Sequence, residues 1–255
     1  MMFELNRINK DRKQIHMKNQ IRFVFIFLIL FQFIFEIPLR AQVGDSTILT
    51  INRTKDFSIT GEGTADSWKT EKWVTLPKRE GKGPEYETKM KILYSDSGIY
   101  CLYYCQDLVL TSTLKKDFSD LYNEDVVEAF FWPDENTPVY FEYEVSPNNY
   151  ELPLLVPNIK GNYMGWLPNH YVGNRKTRHL THVIKQDDKM IAWTAEFFIP
   201  YELFKPLIKT NPSKNTRWRG NFYRIDYDQG GAGWAWQSVR TDFHDYEHFG
   251  TILFK

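Results

Sequence analysis

Residues Tyr122 to Ser146 read YNEDVVEAFFWPDENTPVYFEYEVS, and this stretch decides the fold. Asp125 to Trp132 is a strand-length run rich in valine and aromatics, and Val139 to Val145 is a second. Such residues suit a pleated, half-buried surface. The segment between them, Pro133 to Pro138, is a cluster of turn formers, so the two runs make an antiparallel hairpin with a medium-length loop. Side chains alternate along a strand. Val127, Ala129 and Phe131 therefore share one face of the first strand, and Val126, Glu128, Phe130 and Trp132 the other. In the second strand Val139, Phe141, Tyr143 and Val145 face a core, with Tyr140, Glu142 and Glu144 opposite. Glu128 is the lone charge on a strand that is apolar on both sides. Burying it is costly unless it is bonded to a neighbour such as Tyr or Arg, or lines a wet cleft among aromatic rings.

Working outward, the amino-terminal segment has the grammar of export. Lys10, Arg12, Lys13 and Lys18 precede an apolar run from Ile21 to Phe35, and Leu39-Arg40-Ala41 approximates a small-x-small cut site. This describes a secretory signal over residues 1–41, cleaved after Ala41, with Met17 as a more natural start than Met1. The apolar run is short for a bilayer span, so no membrane association is expected after cleavage. Removing residues 1–41 takes away seven of the 32 Lys/Arg and three of the 32 Asp/Glu, leaving a net charge of about −4. Nucleic acid and anionic lipid are therefore poor partners, since both are held through Lys and Arg. The expected location is the periplasm or the extracellular space.

The remainder, residues 42–255, reads as one domain. Short strand-like runs recur at Ser46–Ile51, Phe57–Thr60, Thr88–Tyr94, Ile99–Cys105, Met190–Ile199, Trp218–Tyr227 and Thr251–Phe254. Lys78 to Glu87 is charged and glycine-rich and reads as a solvated loop. No helix-period run of useful length follows residue 42. The pattern predicts an all-β fold, an antiparallel β-sandwich of jelly-roll type. Cys101 and Cys105 would share a strand face about 13 Å apart, beyond disulfide reach, and read as small buried hydrophobes.

Motifs for common chemistries are missing: there is no P-loop, G-x-S-x-G, H-E-x-x-H or paired C-x-x-C. His244/His248 and His179/His182 are spaced for metal only on a helix, which neither segment resembles. Glu128 with Glu142 or Asp226 could form the paired carboxylates of a small glycoside hydrolase. Aromatics make up 16% of the chain, and several fall beside loops: Tyr122 before the hairpin, Trp234 and Trp236 after Gly230-Gly-Ala-Gly233. Sugars present flat C–H faces and ringed hydroxyls, which aromatic planes and a few polar groups hold. Tyr122, Trp236 and Trp234, with Glu128 and Arg224 between them, are the expected ligand-binding residues. Rings that plug the ends of a sandwich would look the same in sequence.

Six stretches in order carry a family resemblance: Gly98–Asp107, Asn123–Phe131, Tyr140–Pro147, Trp193–Pro200, Asn221–Asp226 and Phe243–Gly250. Together they resemble carbohydrate-binding module family 9 and its DOMON-like β-sandwich relatives. The resemblance implies an exported, non-catalytic glycan-binding domain that works alongside polysaccharide-degrading enzymes, with a glycoside hydrolase as partner. It implies two aromatic rings clamping a terminal sugar, at the positions of Tyr122 and Trp236, and calcium as a structural ion, for which no ligands can be assigned from sequence. Some DOMON-like relatives hold haem through His or Met ligands; Met90, Met164, His170 and Met190 are the residues available for that.

Overall fold

The hairpin forms as the alternation dictates. In a computed structural model, which describes residues 47–159 and 162–255, Val126–Trp132 and Val139–Val145 pair antiparallel, with Ala129 opposite Tyr143 and Glu128 opposite Glu144. The expected signal segment and its cut after Ala41 lie outside the described residues. No helix among the described residues is long and apolar enough to cross a membrane.

The described residues form fifteen strands. The first seven are β1 (Ile48–Arg53), β2 (Val74–Thr75), β3 (Lys78–Gly81), β4 (Thr88–Tyr94), β5 (Gly98–Gln106), β6 (Val126–Trp132) and β7 (Val139–Val145). Then come β8 (Glu151–Ile159), β9 (Asn162–Tyr163), β10 (Leu167–Pro168) and β11 (Arg178–Gln186). The last four are β12 (Lys189–Pro200), β13 (Arg217–Asp226), β14 (Ala232–Ala235) and β15 (Gly250–Phe254). Among the described residues there are also two one-turn helices, α1 (Asp66–Lys69) and α2 (Tyr201–Phe204), and four short 3-10 turns.

The strands form two layers. One runs β10-β8-β7-β6-β13-β15, with β14 and β3 continuing beside β13; the other runs β4-β5-β12-β11 with β2 against β4. Strand β1 belongs to both, pairing with β15 through Ile48–Ile51 and with β4 through Asn52–Arg53. The inward faces share one core, in which Val127, Phe131 and Tyr143 of the first layer meet Met90, Cys101 and Trp193 of the second. Tyr143 and Phe197 pack with ring centroids 5.0 Å apart, and Tyr103 donates its hydroxyl across the layers to the Glu128 carbonyl at 2.8 Å. The β-sandwich and both cysteines, free and buried, are as expected.

Three local readings change. Lys78–Gly81 is strand β3, because its backbone completes the edge of β14; the charged side chains concealed an edge strand. Phe57–Thr60 pairs with no strand, and instead loops over the outside of the second layer. Strands β8 and β11 carry weak signals, since Pro153 and Pro157 interrupt one and basic and polar residues fill the other.

The loop over the second layer is fastened by Glu196. Its buried carboxylate accepts from the N–H groups of Thr60 (2.8 Å), Gly61 (2.8 Å) and Gly63 (3.2 Å), and from Trp68 Nε1 (2.7 Å). A buried donor left without a partner costs about 1–3 kcal/mol. Glu196→Ala removes the acceptor of all these groups and strands two buried ones, Gly61 N–H and Trp68 Nε1. Urea denaturation is expected to report a loss of at least about 3 kcal/mol, and a loss below about 1 kcal/mol would contradict this reading.

Candidate functional site

On the face of the first layer turned away from the shared core, Val126, Phe130, Trp132, Tyr140, Leu154 and Tyr223 make a second apolar cluster. The same face carries Glu128, Glu142 and Glu144. They are neighbours by construction: Glu128 is cross-strand partner to Glu144, and Glu142 lies two residues away on the same side of β7. All three are buried. A cavity of about 490 Å³ opens above them, lined by Glu128, Glu142, Leu154, Tyr122, Trp166 and His244 among others.

The rim is aromatic. Tyr122 sits in a short 3-10 turn, Leu121–Asn123, just ahead of β6. That turn is pinned by Asp125, whose buried carboxylate accepts from the backbone N–H of Thr111 (2.6 Å) and of Tyr227 (2.9 Å). The Tyr227 hydroxyl in turn donates to the Tyr122 carbonyl at 2.8 Å. Across from it, Trp166 meets Tyr122 edge-on at 5.4 Å and lies nearly parallel to the His244 ring at 5.9 Å. Tyr163 stacks on His244 at 4.4 Å. Tyr163, Trp166 and Tyr227 are 38%, 37% and 41% exposed, a large apolar surface to leave in water unless something covers it.

The electrostatics of the floor are one-sided. Burial pushes the Glu142 carboxyl up to about 8. Burial, and then the neighbouring glutamates, hold Glu128 and Glu144 well above the usual carboxylate range. His244 is pushed down to about 4 by burial, against the opposing pull of Asp242, so near neutral pH it is uncharged. Its Nδ1 shares a hydrogen bond with the Tyr140 hydroxyl at 2.7 Å. Glutamates in a low-dielectric site without a cation keep their protons.

Of the residues expected to bind ligand, Tyr122 and Glu128 meet in this cleft. The other three do not. Trp236 is 6% exposed and lies in the inter-sheet core, where its ring covers Gly250 so closely that a Cβ there would fall 2.3 Å from it. Trp234 is buried in the same core with Nε1 bonded to the Tyr86 carbonyl at 3.0 Å. Arg224 is fully buried on the inner side: it lies over the Trp234 ring and bonds Asp107 (3.1 Å), Asp226, Thr88 and the Gln106 carbonyl. The residues that sequence reasoning missed are Trp166, Tyr163, Tyr227 and His244. A tryptophan and a tyrosine inside the Gly161-Asn-Tyr-Met-Gly-Trp166-Leu-Pro168 segment were the available signal, because large rings in a glycine- and proline-punctuated loop seldom have a core to enter.

Asp107, Asp226 and Asp228 each bring an oxygen within 4.8 Å of the others, the one such acidic set among the described residues. It does not fit calcium. The Arg224 guanidinium already supplies the positive charge. Val109 N–H, Asp228 N–H and the Tyr86 hydroxyl donate to the remaining oxygens at 3.0, 2.9 and 3.0 Å. Nor do the histidine pairs converge on a metal: His248 bonds Asp245, and His179 bonds Asn149. Of the residues considered for haem, Met90 is in the inter-sheet core and His170 packs on Phe118 at 4.3 Å.

A two-layer β-sandwich with an aromatic-rimmed cleft on one outer face defines a ligand-binding domain. Residues 59–255 match the family model described as carbohydrate family 9 binding domain-like, and the chain belongs to that family. Its fold is shared with a Bacteroides uniformis ATCC 8492 protein given a provisional carbohydrate-binding role (TM-score 0.65, 15% identity, 82% of this chain and 99% of that one). It is also shared with a family 9 carbohydrate-binding module of Caldicellulosiruptor kristjanssonii, solved with cellotriose (TM-score 0.59, 18% identity, 82% and 93%) and with glucose. In sequence, an "Extracellular protein" of Arthroderma benhamiae is 28% identical over 144 residues, covering 53% of this chain and 63% of that protein. The matched region thus spans less than two thirds of that relative's length.

Proposed function

We propose that the chain is an exported, non-catalytic module that binds a sugar in the cleft over β6 and β7. The observation that carries this reading is the set of rings, exposed Trp166, Tyr163 and Tyr227 with half-buried Tyr122, beside a cavity whose buried glutamates receive no hydrogen bond from outside their own cluster. Rings supply a platform for the C–H face of a pyranose, and the glutamates supply hydrogen-bonding groups for whatever faces them. Glu128 keeps the ligand-binding role read from sequence; the ring opposite Tyr122 is Trp166, in place of Trp236. Family membership and the cellotriose and glucose held by a structural relative support the ligand class. Export rests on the basic and apolar order of residues 10–41, and a glycoside hydrolase partner rests on the family resemblance alone.

Isothermal titration with a panel of mono- and oligosaccharides, cellotriose and glucose included, tests the reading. Trp166→Ala is expected to weaken the best binder at least about tenfold, roughly 1.4 kcal/mol. Trp73→Ala removes an exposed ring packed near Tyr104 on the other layer and is expected to change nothing. Silence across the panel, or equal binding by Trp166→Ala, removes the proposal.

A further inference from the structure

Buried carboxylates elsewhere in this molecule are supplied with donors. Glu196 has five, Asp125 has two backbone N–H groups, and Glu151 accepts from the hydroxyls of Tyr143, Tyr171 and Thr177. The floor of the cleft departs from that habit. Glu142 Oε2 and both carboxyl oxygens of Glu144 are buried and receive no hydrogen bond beyond the side-chain bond that these two acids share. Glu142 is 3% exposed and lines the cavity, with Glu144 two residues on along the same strand.

Among the described residues, no Lys or Arg answers these acids. Five residues lining the cavity are acidic (Glu80, Glu128, Glu142, Asp226 and Asp242), and none is Lys or Arg. The one base there, His244, comes no closer to Glu142 than 3.9 Å and is already bonded to Tyr140. Arg224, the buried cation of the first layer, is committed to Asp107 and Asp226. A neutral sugar would bring hydroxyl donors but leave the clustered acids protonated, whereas a cation would let them ionise. An ammonium brings three donors and a charge on one atom.

A divalent ion is the other cation to weigh. Calcium takes 6–8 oxygens at 2.3–2.6 Å. Glu128, Glu142 and Glu144 are set among Val126, Phe130, Leu154 and Tyr223, and they are not among the acids whose oxygens converge within 4.8 Å. The exposed rings beside them call for an organic body attached to the charge.

We propose that the cleft selects an aminated sugar: the charged amine of a 2-amino-2-deoxyhexose unit seats against Glu142 and draws it into ionisation, with the carboxyls of Glu128 and Glu144 beside it, while the ring lies along Trp166. This deepens the sugar-binding reading and rests on it. N-Acetylation removes the charge and adds bulk at the same atom, so the acetylated sugar is excluded by both.

The test titrates the chain at pH 6.5 and physiological salt with glucosamine and its β-1,4-linked trimer. Glucose, cellotriose, N-acetylglucosamine and its trimer are run beside them. The amine is expected to bind at least about tenfold tighter than its neutral counterpart. In Glu142→Gln and Glu144→Gln, each checked for a cooperative melt, that ratio falls below about threefold. Equal or tighter binding of the neutral or acetylated sugar overturns the amine proposal and leaves the sugar reading standing. No binding by any sugar overturns both. Saturable calcium binding that Glu142→Gln abolishes overturns the amine proposal in favour of a metal.

Discussion

Arg224→Met is expected to cost about 3–5 kcal/mol of stability at pH 8, the largest effect of any single substitution considered. Methionine keeps much of the side chain's length and apolar contact, so the loss is chiefly electrostatic. In the native chain the guanidinium is fully buried and lies between Asp107 and Asp226, which are also fully buried. Burial pushes Asp107 up to about 7 and raises Asp226, while Arg224 pulls both back toward ionisation. Removing the cation leaves the two acids, with Asp228 beside them, held by one backbone N–H each and no counter-charge. They answer by holding protons more tightly, so the folded variant binds more protons than its unfolded form over a wider range than before. Stability of the variant therefore falls more steeply with rising pH than that of the natural chain. Its deficit is expected to be largest at pH 8 and to shrink at pH 5.5, with Asp107→Asn in the Arg224→Met background recovering part of it. Urea denaturation at the two pH values decides the matter. A deficit below about 1 kcal/mol at pH 8, or one that does not change with pH, would remove the counter-charge role.

Arg224 also marks where the sequence stops being legible. The faces of β6 and β7 could be read residue by residue, because a period of two leaves no choice once one side is apolar. Val127, Phe131 and Tyr143 enter the shared core, and Val126, Phe130 and Tyr140 the outer cluster, as the alternation requires. Glu128 was legible for the same reason, as the one charge out of place. Trp234 and Trp236 were misread because the glycines before them suggested a loop. Gly233 and Trp234 instead lie in β14, and two tryptophans two apart on an extended chain turn to one side, here the core. Arg224 looks alike in sequence whether it faces a ligand or a buried carboxylate, since only the register with β6 and the reach to Asp107 decide it. Trp166 and His244 are separated by most of two layers in sequence, and their stacking is a purely tertiary event.

The glutamate floor gives the chain an unusual pH profile. A carboxyl whose folded pKa lies above its unfolded value favours the native state only while protonated, so stability is full below the unfolded value near 4.5 and is lost as pH rises through the folded one. Glu142, raised to about 8, and Glu128 and Glu144, raised well above the usual range, all act in this direction. Asp107 and Asp125, each raised to about 7, add to it up to that point. His244 opposes them lower down. Its folded pKa of about 4 lies below its ordinary value of 6.5, so its contribution grows from pH 4 to 6.5 and is constant above. Between pH 6.5 and about 8 only the carboxyls remain, and the denaturation midpoint is expected to fall across that interval. The double substitution Glu142→Gln/Glu144→Gln replaces groups that must ionise with amides that cannot. Its midpoint should match the natural chain near pH 4, below the unfolded value, where the glutamates are protonated in both states, and exceed it at pH 8.5. A natural profile that is flat or rising from pH 6.5 to 8.5, or a double variant less stable at pH 8.5, would mean these acids already have a counter-charge within the fold. In that case the cleft would have no need of a cationic ligand.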